Sequence, residues 1–460
     1  MIEITAIDTR SLGDRAYFAT DGSVALVIDP QRDFDRVLEL AAERGVTITH
    51  VFETHIHNDY VTGGYALARA VGAAYHVNAD DQVTFDRTGI TDGDVIEVGA
   101  MRVRVLATPG HTFTHLSYAL SDGGPDGGPD GRPEIAVFTG GSLLHGSTGR
   151  TDLLGAGLRA ELARAQYGSA RRLARELPDN ASVCPTHGFG SFCAATQAGD
   201  SSSSTIGAEK RVNPALTLAE ADYVETLLAG LDAYPAYYAH MGAANAAGPG
   251  APDLTPPRRA EAGELRRRID AGEWVVDLRS RTAFAAGHLR GALNFELGDS
   301  FATYLGWLIP WGMPLTLIGS TAADVAAAQR ELVRIGIDKL AAAVTGPVEA
   351  WSGGEPLAEF AVAGFADLEP ARDSRRVVVL DVRRDGEWSQ SRVDGAVHIP
   401  LHELSSRLGE LPGGQVWVHC QAGYRASVAA SMLDAARMPV VLVDDEFERA
   451  ERAGLAHSAT

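Results

Sequence analysis

The sequence predicts a multi-domain α/β protein, and three observations carry that expectation. At 460 residues the chain is too long for one hydrophobic core, so about two to four domains are expected. Up to about residue 245, β-rich runs alternate with helical patterns, and three of those runs end in a loop bearing histidine. Beyond residue 257, one series of signals occurs twice at a spacing of roughly 100 residues, as a duplicated α/β unit with a parallel sheet would produce.

Composition narrows the function classes. Hydrophobic residues make up 45% and charged residues 22%, ordinary values for a globular chain. The balance of 60 acidic to 40 basic residues gives a net charge of -20, which favours neither nucleic acid nor an anionic membrane as partner. No apolar run approaches the ~20 residues of a membrane span. Met1 to Thr5 carries no basic segment followed by an apolar one, so no secretory signal is expected. The three cysteines, Cys184, Cys193 and Cys420, are too few and too odd for a disulfide framework and point to a reducing cytoplasm. Spacing assigns neither Cys184 nor Cys193. Cys193 lies six residues past His187, with core filler as its simplest reading.

In chain order, Ser23 to Ile28 is expected as a strand ending at Asp29-Pro30, and Phe34 to Arg44 as a helix with Val37, Leu38, Leu40 and Ala41 on its apolar face. Val46 to Phe52 is β-branched and apolar and reads as a buried strand. It runs into Thr54-His55-Ile56-His57-Asn58-Asp59-Tyr60, and a helical pattern follows from Tyr65 to Val71. Met101 to Ala107 ends in Thr108-Pro109-Gly110-His111-Thr112, and Leu116 to Leu120 is a further strand. The Gly/Pro/Asp tract 121–131 cannot pack a core and is expected as a flexible surface loop. Ile135 to Phe138 resumes the sheet, and Ser182 to Cys184 leads into Pro185-Thr186-His187-Gly188. Ala243 to Pro257, rich in Ala, Gly and Pro, reads as a linker.

The loop 54–60 packs two imidazoles and a carboxylate into five residues, a density that points to a metal. His55 and His57 can reach one ion, with His111 as the natural third ligand. Asp59 and His187 are placed to serve a second ion or to orient the first set. His50, His76 and His145 read as surface or satisfied core residues, and His115 as structural.

In the duplicated region the first copy carries a strand at Trp274 to Leu278 with Asp277-Leu278-Arg279, then Gly287-His288-Leu289-Arg290-Gly291-Ala292, then a strand at Leu315 to Ile318. The second carries Val377 to Val382 with Asp381-Val382-Arg383, then Asp394 to Pro400, then a strand at Val416 to His419. That last strand runs into Cys420-Gln421-Ala422-Gly423-Tyr424-Arg425, followed by an Ala-rich helix from Ala426 to Ala436. A loop so placed can aim the N–H groups of Gln421, Ala422, Gly423 and Tyr424 at one centre, and the helix N-terminus adds positive potential. Both stabilise a thiolate nucleophile, and Arg425 supplies a permanent charge suited to an anionic sulfur substrate. In the first copy Gly319 stands in the cysteine position and Asp324 in the arginine position, so that copy has no nucleophile. Its Phe301, Trp307 and Trp311 offer apolar anchors for packing or subunit contact, or ordinary core.

Residues 1–245 resemble the metallo-β-lactamase fold, an αββα sandwich, in the succession Thr-His-x-His-x-Asp, Thr-Pro-Gly-His-Thr, Phe-Thr-Gly and Thr-His-Gly. Glu53 to Gly64, Gly149-Arg150-Thr151-Asp152 and Arg211-Val-Asn-Pro-Ala-Leu are similar to the persulfide dioxygenase branch. That resemblance implies one Fe(II) per chain and oxidation of a low-molecular-weight thiol persulfide to sulfite. It implies His55 and His111 as iron ligands, and Arg150 near the thiol substrate. The sequence departs from the pattern twice: Gly141 follows Phe138-Thr139-Gly140 where the branch has a ligand aspartate, and Tyr60 follows Asp59 where a histidine is usual. The ligand set expected here is therefore His55, His57 and His111, with Asp59 and His187 nearby. Zinc is the alternative metal, and a fold that has lost its metal is the bland reading.

The duplicated region resembles the rhodanese family in Asp-x-Arg, in Gly395 to Pro400 and in the Cys420 loop, which in that family carries sulfur as a cysteine persulfide. A phosphatase loop, Cys-x₅-Arg, is one residue longer. Asp444-Asp445 stands where rhodaneses often place Gly-Gly. The expected domains are 1–245, metallo-β-lactamase-like; 259–355, rhodanese-like without the cysteine; and 370–460, rhodanese with Cys420. The order is similar to persulfide dioxygenase–sulfurtransferase fusions, which implies persulfide oxidation linked through Cys420 to sulfite and thiosulfate, and a homo-oligomer. Two alternatives stand beside it: a sulfurtransferase with a binding module in front, and a thioester hydrolase of the glyoxalase II type fused to a rhodanese.

Overall fold

The computed structural model describes residues 1–123, 133–195, 202–372 and 376–458. It divides into two compact units, Met1–Asp253 with Val333–Gly336, and Leu254–Leu332 with Ile337–Thr460. Among the described residues no helix is long and apolar enough to cross a membrane.

The first unit is two six-stranded sheets with helices on both outer faces. One sheet runs in sequence order through Glu3–Thr9, Asp14–Thr20, Val24–Ile28, Thr47–Phe52, Ala74–Asn78 and Thr88–Ile90. Its first three strands pair antiparallel and the later ones parallel. The other sheet runs in reverse order, Ser204–Thr205, Ser182–Pro185, Ala136–Gly140, Leu116–Asp122, Met101–Ala107 and Val95–Val98. Strand periodicity decides which side chain enters which layer. Leu26 and Ile28 face the space between the sheets with Tyr17, Phe52, Val103, Val105, Tyr118 and Phe138. Ala25 and Val27 face outward, against Val37 and Ala41 of the helix Asp35–Arg44 and Leu67 of the helix Gly64–Val71. On the far side Leu106, Ala119 and Val137 pack against Ala163, Ala170 and Leu173 of the helix Arg159–Glu176. The result is the expected αββα sandwich. The Gly/Pro/Asp tract lies outside the described residues from position 124 to its end, and its first residues, Ser121 and Asp122, prolong a strand.

The expected linker begins too early. Tyr238–Ala246 is a helix, and Met241 and Asn245 on it are buried. Alanine is the strongest helix former, and Asn245 has a structural task described below.

The second unit carries two parallel sheets in the same strand order. The first is Leu293–Asn294, Trp274–Asp277, Leu315–Gly319, Ala342–Thr345. The second is Val397–His398, Val377–Asp381, Gln415–His419, Val440–Val443, extended by the edge strand Ala361–Ala363. A parallel bridge from Arg259 to Ala343 is the first copy's remnant of that edge. The Asp-x-Arg motif does the same work in each copy. Arg279 Nε and Nη2 lie 3.0 and 2.6 Å from Asp277, and Nη2 donates to the Gly287 carbonyl at 2.9 Å. Arg383 lies 3.0 and 2.7 Å from Asp381 and donates to the Ser391 carbonyl at 2.7 Å. In both copies the buried carboxylate holds an arginine that pins the chain eight residues further on.

Candidate functional site

The strands Thr47–Phe52, Met101–Ala107 and Ser182–Pro185 each end in one of the three histidine loops, and the sandwich brings the loops together. Asp29, at the end of Val24–Ile28, ties two of them. Its carboxylate accepts from the Thr54 N–H and hydroxyl at 2.7 Å each and from the Thr186 hydroxyl at 2.5 Å. It sits at φ 49, a left-handed conformation that non-glycine residues rarely adopt, held by these bonds. Asn245 clamps the first loop from behind: its amide donates to the carbonyls of His57 and Tyr60 at 2.8 Å each and accepts from the Thr62 N–H at 2.9 Å. Asn213 donates to the Leu144 and Ser147 carbonyls at 3.2 and 2.8 Å, fixing the segment that leads to Arg150.

All five expected metal ligands are buried and gathered in one place. His55, His57 and His187 offer ligand atoms within 4.8 Å of one another, and so do Asp14, Asp59 and His187. His57 Nε2 faces Asp29 at 3.3 Å, Glu53 at 3.2 Å and the Tyr60 hydroxyl at 3.0 Å, while Nδ1 lies 4.0 Å from Asp59 and has no hydrogen-bond partner among the described residues. Tyr60 stacks on the His57 ring at 4.3 Å, so the residue in the place of the usual histidine orients a neighbour. His187 Nδ1 lies 2.9 Å from Asp14 and 3.1 Å from Asp59, and its Nε2 lies 3.5 Å from His55 Nε2. His111 Nδ1 bonds the Arg150 carbonyl at 2.7 Å, and its Nε2, fully buried, has no hydrogen-bond partner among the described residues. His115 is spent structurally, on the Thr108 hydroxyl at 2.9 Å and the Gly141 N–H at 3.0 Å.

The protonation pattern follows from burial and charge. Burial, seconded by His187, pushes His111 down to about 3, and burial with His57 and His111 holds His55 well below the imidazole range, so both are neutral donors. Burial also presses on His57, but Asp29 and Glu53 outweigh it and raise it to about 9. His187 rises likewise because Asp59 and Asp14 flank it. Those two carboxyls share its charge unequally: burial and Asp59 raise Asp14 to about 8, whereas His187 overcomes burial at Asp59 and holds it ionised.

No carboxylate comes from position 141. A Cβ there would lie 2.4 Å from His111 Cδ2 and 2.6 Å from Cγ, so the imidazole fills the space. Cys193, left unassigned by the sequence, is fully buried, and its ligand atom lies within 4.8 Å of those of His111 and His187. Burial, then Asp59 and Asp14, push its thiol well up. Cys184 lies in the apolar core between the sheets, and burial raises it to about 12. The Arg150 guanidinium is held by Asp152 at 2.7 and 2.8 Å and by the Phe192 and Asp232 carbonyls at 3.1 and 2.8 Å, over the Tyr234 ring.

In the second unit Cys420 is buried at the end of Gln415–His419, and the helix Tyr424–Ala435 opens beside it. Gly423 has φ 85, and a Cβ on it would meet Asp444 Oδ1 at 2.1 Å, so only glycine closes this turn. Asp444 in turn accepts from Arg281 Nε of the first copy at 2.6 Å. The expected charge does not stand free: Arg425 Nη1 and Nη2 lie 2.5 and 2.7 Å from the Glu387 carboxylate. Gln421 and Ala422 are tied to the segment after Asp444, through the Phe447 N–H on the Gln421 carbonyl at 2.8 Å and a bridge from Ala422 to Glu446. A small pocket beside the loop is lined by Arg384, Arg425, Val382, Leu401 and His402 from the second copy and by Tyr304, Trp307 and Leu308 from the first. Trp307 stacks on His402 at 4.9 Å, so the copy without a cysteine walls the site of the copy that has one.

A family model described as "Rhodanese-like domain" matches residues 261–353 and 365–452. The C-terminal half of the chain is two rhodanese-like domains. For the N-terminal half, persulfide dioxygenase ETHE1 of Bos taurus is 27% identical over 220 residues, covering 48% of this chain and 75% of that relative. Hydroxyacylglutathione hydrolase of Rhizobium etli is 36% identical over 115 residues, covering 22% of this chain and 44% of that protein. A solved metallo-β-lactamase of Staphylococcus aureus superposes with a TM-score of 0.66 at 28% identity, covering 75% of this chain and 99% of its own. The N-terminal half thus has the metallo-β-lactamase fold, and its His and Asp clusters could hold a metal.

Several partners of these sites were not expected from sequence. Asp14 and Asn245 are isolated polar residues with no motif around them, and Glu53 opens the stretch Glu53 to Gly64 without a role assigned to it. Asp29 offered one signal, its place at a strand end before Pro30. Glu387 lies 38 residues before the arginine it holds, a separation that only the rhodanese-like fold closes.

Proposed function

We propose that this chain acts in sulfide and persulfide metabolism, oxidising a thiol persulfide to sulfite at the histidine cluster and moving sulfane sulfur through Cys420. The observation that carries the reading is the joining, in one chain, of a unit similar to persulfide dioxygenases with a rhodanese-like domain whose loop keeps Cys-x-x-Gly-x-Arg. The overall oxidation is R–S–SH + O₂ + H₂O giving R–SH, sulfite and two protons. In the sulfur transfer, the Cys420 thiolate takes the outer sulfur of a persulfide, releasing the thiol. Attack by sulfite on that sulfur then gives thiosulfate and restores the thiolate.

A metal fits the donor chemistry of the cluster. His111 Nε2 is buried, on a neutral imidazole, with no hydrogen-bond partner among the described residues, which is costly unless a cation meets it. His55, His57, His111 and His187, with Asp59, would hold it; the aspartate ligand implied by the resemblance is absent at Gly141. Iron(II), one per chain, is proposed, with zinc as the alternative; bound there, iron supplies the O₂ chemistry that side chains lack. The residues themselves do the positioning. Arg150 fixes the His111 tautomer through its carbonyl, and its guanidinium, committed to protein groups, acts on an anionic substrate through its field. Asp29 and Glu53 hold His57, and Asp14 and Asp59 hold His187. In the second rhodanese-like domain the Glu387–Arg425 pair fixes the loop, leaving its N–H groups to receive the sulfur anion.

Protein purified without oxygen and assayed for O₂ uptake with a thiol persulfide tests the reading. One O₂ consumed per persulfide, with sulfite or thiosulfate as product and near one iron per chain, is expected. Absence of both metal and O₂ uptake overturns the oxidative half. The hydroxyacylglutathione hydrolase similarity favours a second reading, thioester hydrolysis, which the missing bridging aspartate opposes. Thioester cleavage without O₂ uptake would select it. The reading places the protein in the cytoplasm, acting on small sulfur compounds as an assembly of copies.

A further inference from the structure

We propose that Cys193 is a metal ligand, its Sγ joining His111 and His187 as the donor that takes the place of the missing carboxylate. The inference rests on the metal reading of the histidine cluster and adds to it a donor that the resemblance does not assign. Three features carry it. The ligand atoms of His111, His187 and Cys193 lie within 4.8 Å of one another, and all three residues are fully buried. His111 aims an unpartnered nitrogen, because its Nδ1 is committed to the Arg150 carbonyl at 2.7 Å and Nε2 has no partner among the described residues. One residue registers both donors: the Arg150 carbonyl holds His111, and the Arg150 N–H donates to the Cys193 carbonyl at 2.8 Å. The Cys193 N–H donates to the Ser191 hydroxyl at 3.2 Å, so the turn carrying the thiol is fixed from both sides.

The surroundings separate Cys193 from an ordinary core thiol. Cys184 lies among Phe138, Tyr17 and other apolar side chains, as a small hydrophobe should. Cys193 lies instead with two imidazoles and within electrostatic reach of Asp14 and Asp59. A neutral thiol can donate a hydrogen bond to Asp59 but leaves His111 Nε2 unmet, whereas a thiolate bound to a cation satisfies His111 and the carboxylates together. Binding is balanced by release of one proton to solvent: thiol plus M²⁺ gives the metal thiolate and H⁺. A sulfur with two nitrogens selects borderline metals such as zinc, cobalt and iron over magnesium or calcium. Position 141 cannot compete, since a Cβ there would collide with the His111 ring.

The test uses the full chain with Cys420→Ser, so that Cys184 and Cys193 are the remaining thiols. The metal-free protein is titrated with cobalt(II), whose thiolate complexes absorb strongly in the near ultraviolet beside the weaker visible ligand-field bands. Both sets of bands are expected. Adding Cys193→Ser should abolish the near-ultraviolet band and weaken cobalt binding at least tenfold, whereas adding Cys184→Ala should leave both unchanged. Should the Cys193 variant fail to fold, X-ray absorption of zinc-loaded Cys420→Ser protein decides, with one sulfur at about 2.3 Å expected. Ligand-field bands without a thiolate band, a thiolate band that survives Cys193→Ser, or zinc with no sulfur neighbour would overturn Cys193 as ligand and leave the histidine site standing. No cobalt or zinc binding at all would overturn both.

Discussion

A Cβ on Gly141 would lie 2.4 Å from His111 Cδ2, and the His111 ring cannot swing away without breaking its 2.7 Å bond to the Arg150 carbonyl. Restoring the aspartate therefore does not restore the site. Gly141→Asp should cost about 1–3 kcal/mol, as overpacking does, and lower metal affinity; a gain in either stability or affinity, read by thermal unfolding and metal titration, would refute this. Cys420 is the simplest case at this scale. Cys420→Ser removes the only thiol on its loop and should reduce thiosulfate:cyanide sulfurtransferase activity at least a hundredfold; full activity in that variant would exclude Cys420 as carrier. Glu387 gives a pH prediction. Burial raises its carboxyl, but Arg425 outweighs burial and brings it down to about 2. The folded-state value thus lies below the unfolded ~4.3. Its stabilisation is complete above that unfolded value and is lost as pH falls through the range toward about 2. Glu387→Gln should destabilise the protein by about 1.5–3 kcal/mol at neutral pH and shrink the stability gap from wild type below pH ~4; a gap constant with pH would refute the assignment.

Elements place these residues, and their legibility differed with the range of the contact. The strand-to-loop histidines and the strand–Cys420–helix unit were readable because each site begins where a local β pattern stops. The helix Tyr238–Ala246 was not, because its sequence resembles a linker and its purpose is a contact nearly two hundred residues away, Asn245 to His57 at 2.8 Å. Asn245→Ala should leave the carbonyls of His57 and Tyr60 unsatisfied, costing about 1–3 kcal/mol, whereas Asn245→Asp keeps the Thr62 bond but loses the two donors. Hydrogen exchange that accelerates in residues 54–62 of the Ala variant and not elsewhere would support this; unchanged exchange there would count against it. Arg281 is a second long-range device. It joins Asp444, the residue against which Gly423 packs. The sequence marked Asp444 as a departure from Gly-Gly but could not supply its partner, since the pairing crosses between the two copies. The cysteine-less copy thus contributes to the surroundings of the Cys420 loop: Arg281 holds Asp444, and Tyr304 and Trp307 line the pocket beside Arg425.

At the scale of the whole molecule the two proposed chemistries would reside in different units of one chain, which would make them separable by metal removal. The metal-capable cluster of histidines and acidic residues belongs to Met1–Asp253, whereas Cys420, Glu387 and Arg425 belong to the unit that includes Ile337–Thr460. The sulfur transfer proposed at Cys420 requires a thiolate, backbone N–H groups and a fixed loop, and of the residues lining the pocket beside that loop the one metal-capable side chain is His402, which stacks on Trp307. Chelation of the intact chain should therefore cut O₂ uptake with a thiol persulfide at least tenfold while leaving sulfurtransferase turnover within twofold. Readdition of iron(II) should restore the first without altering the second. The same treatment should lower one thermal transition and spare another, because an ion that binds only the folded state contributes about 2.7 kcal/mol at a hundred times its dissociation constant. If sulfurtransferase activity fell with O₂ uptake, the Cys420 site would depend on the metal, and the division of labour argued from the two units would be wrong.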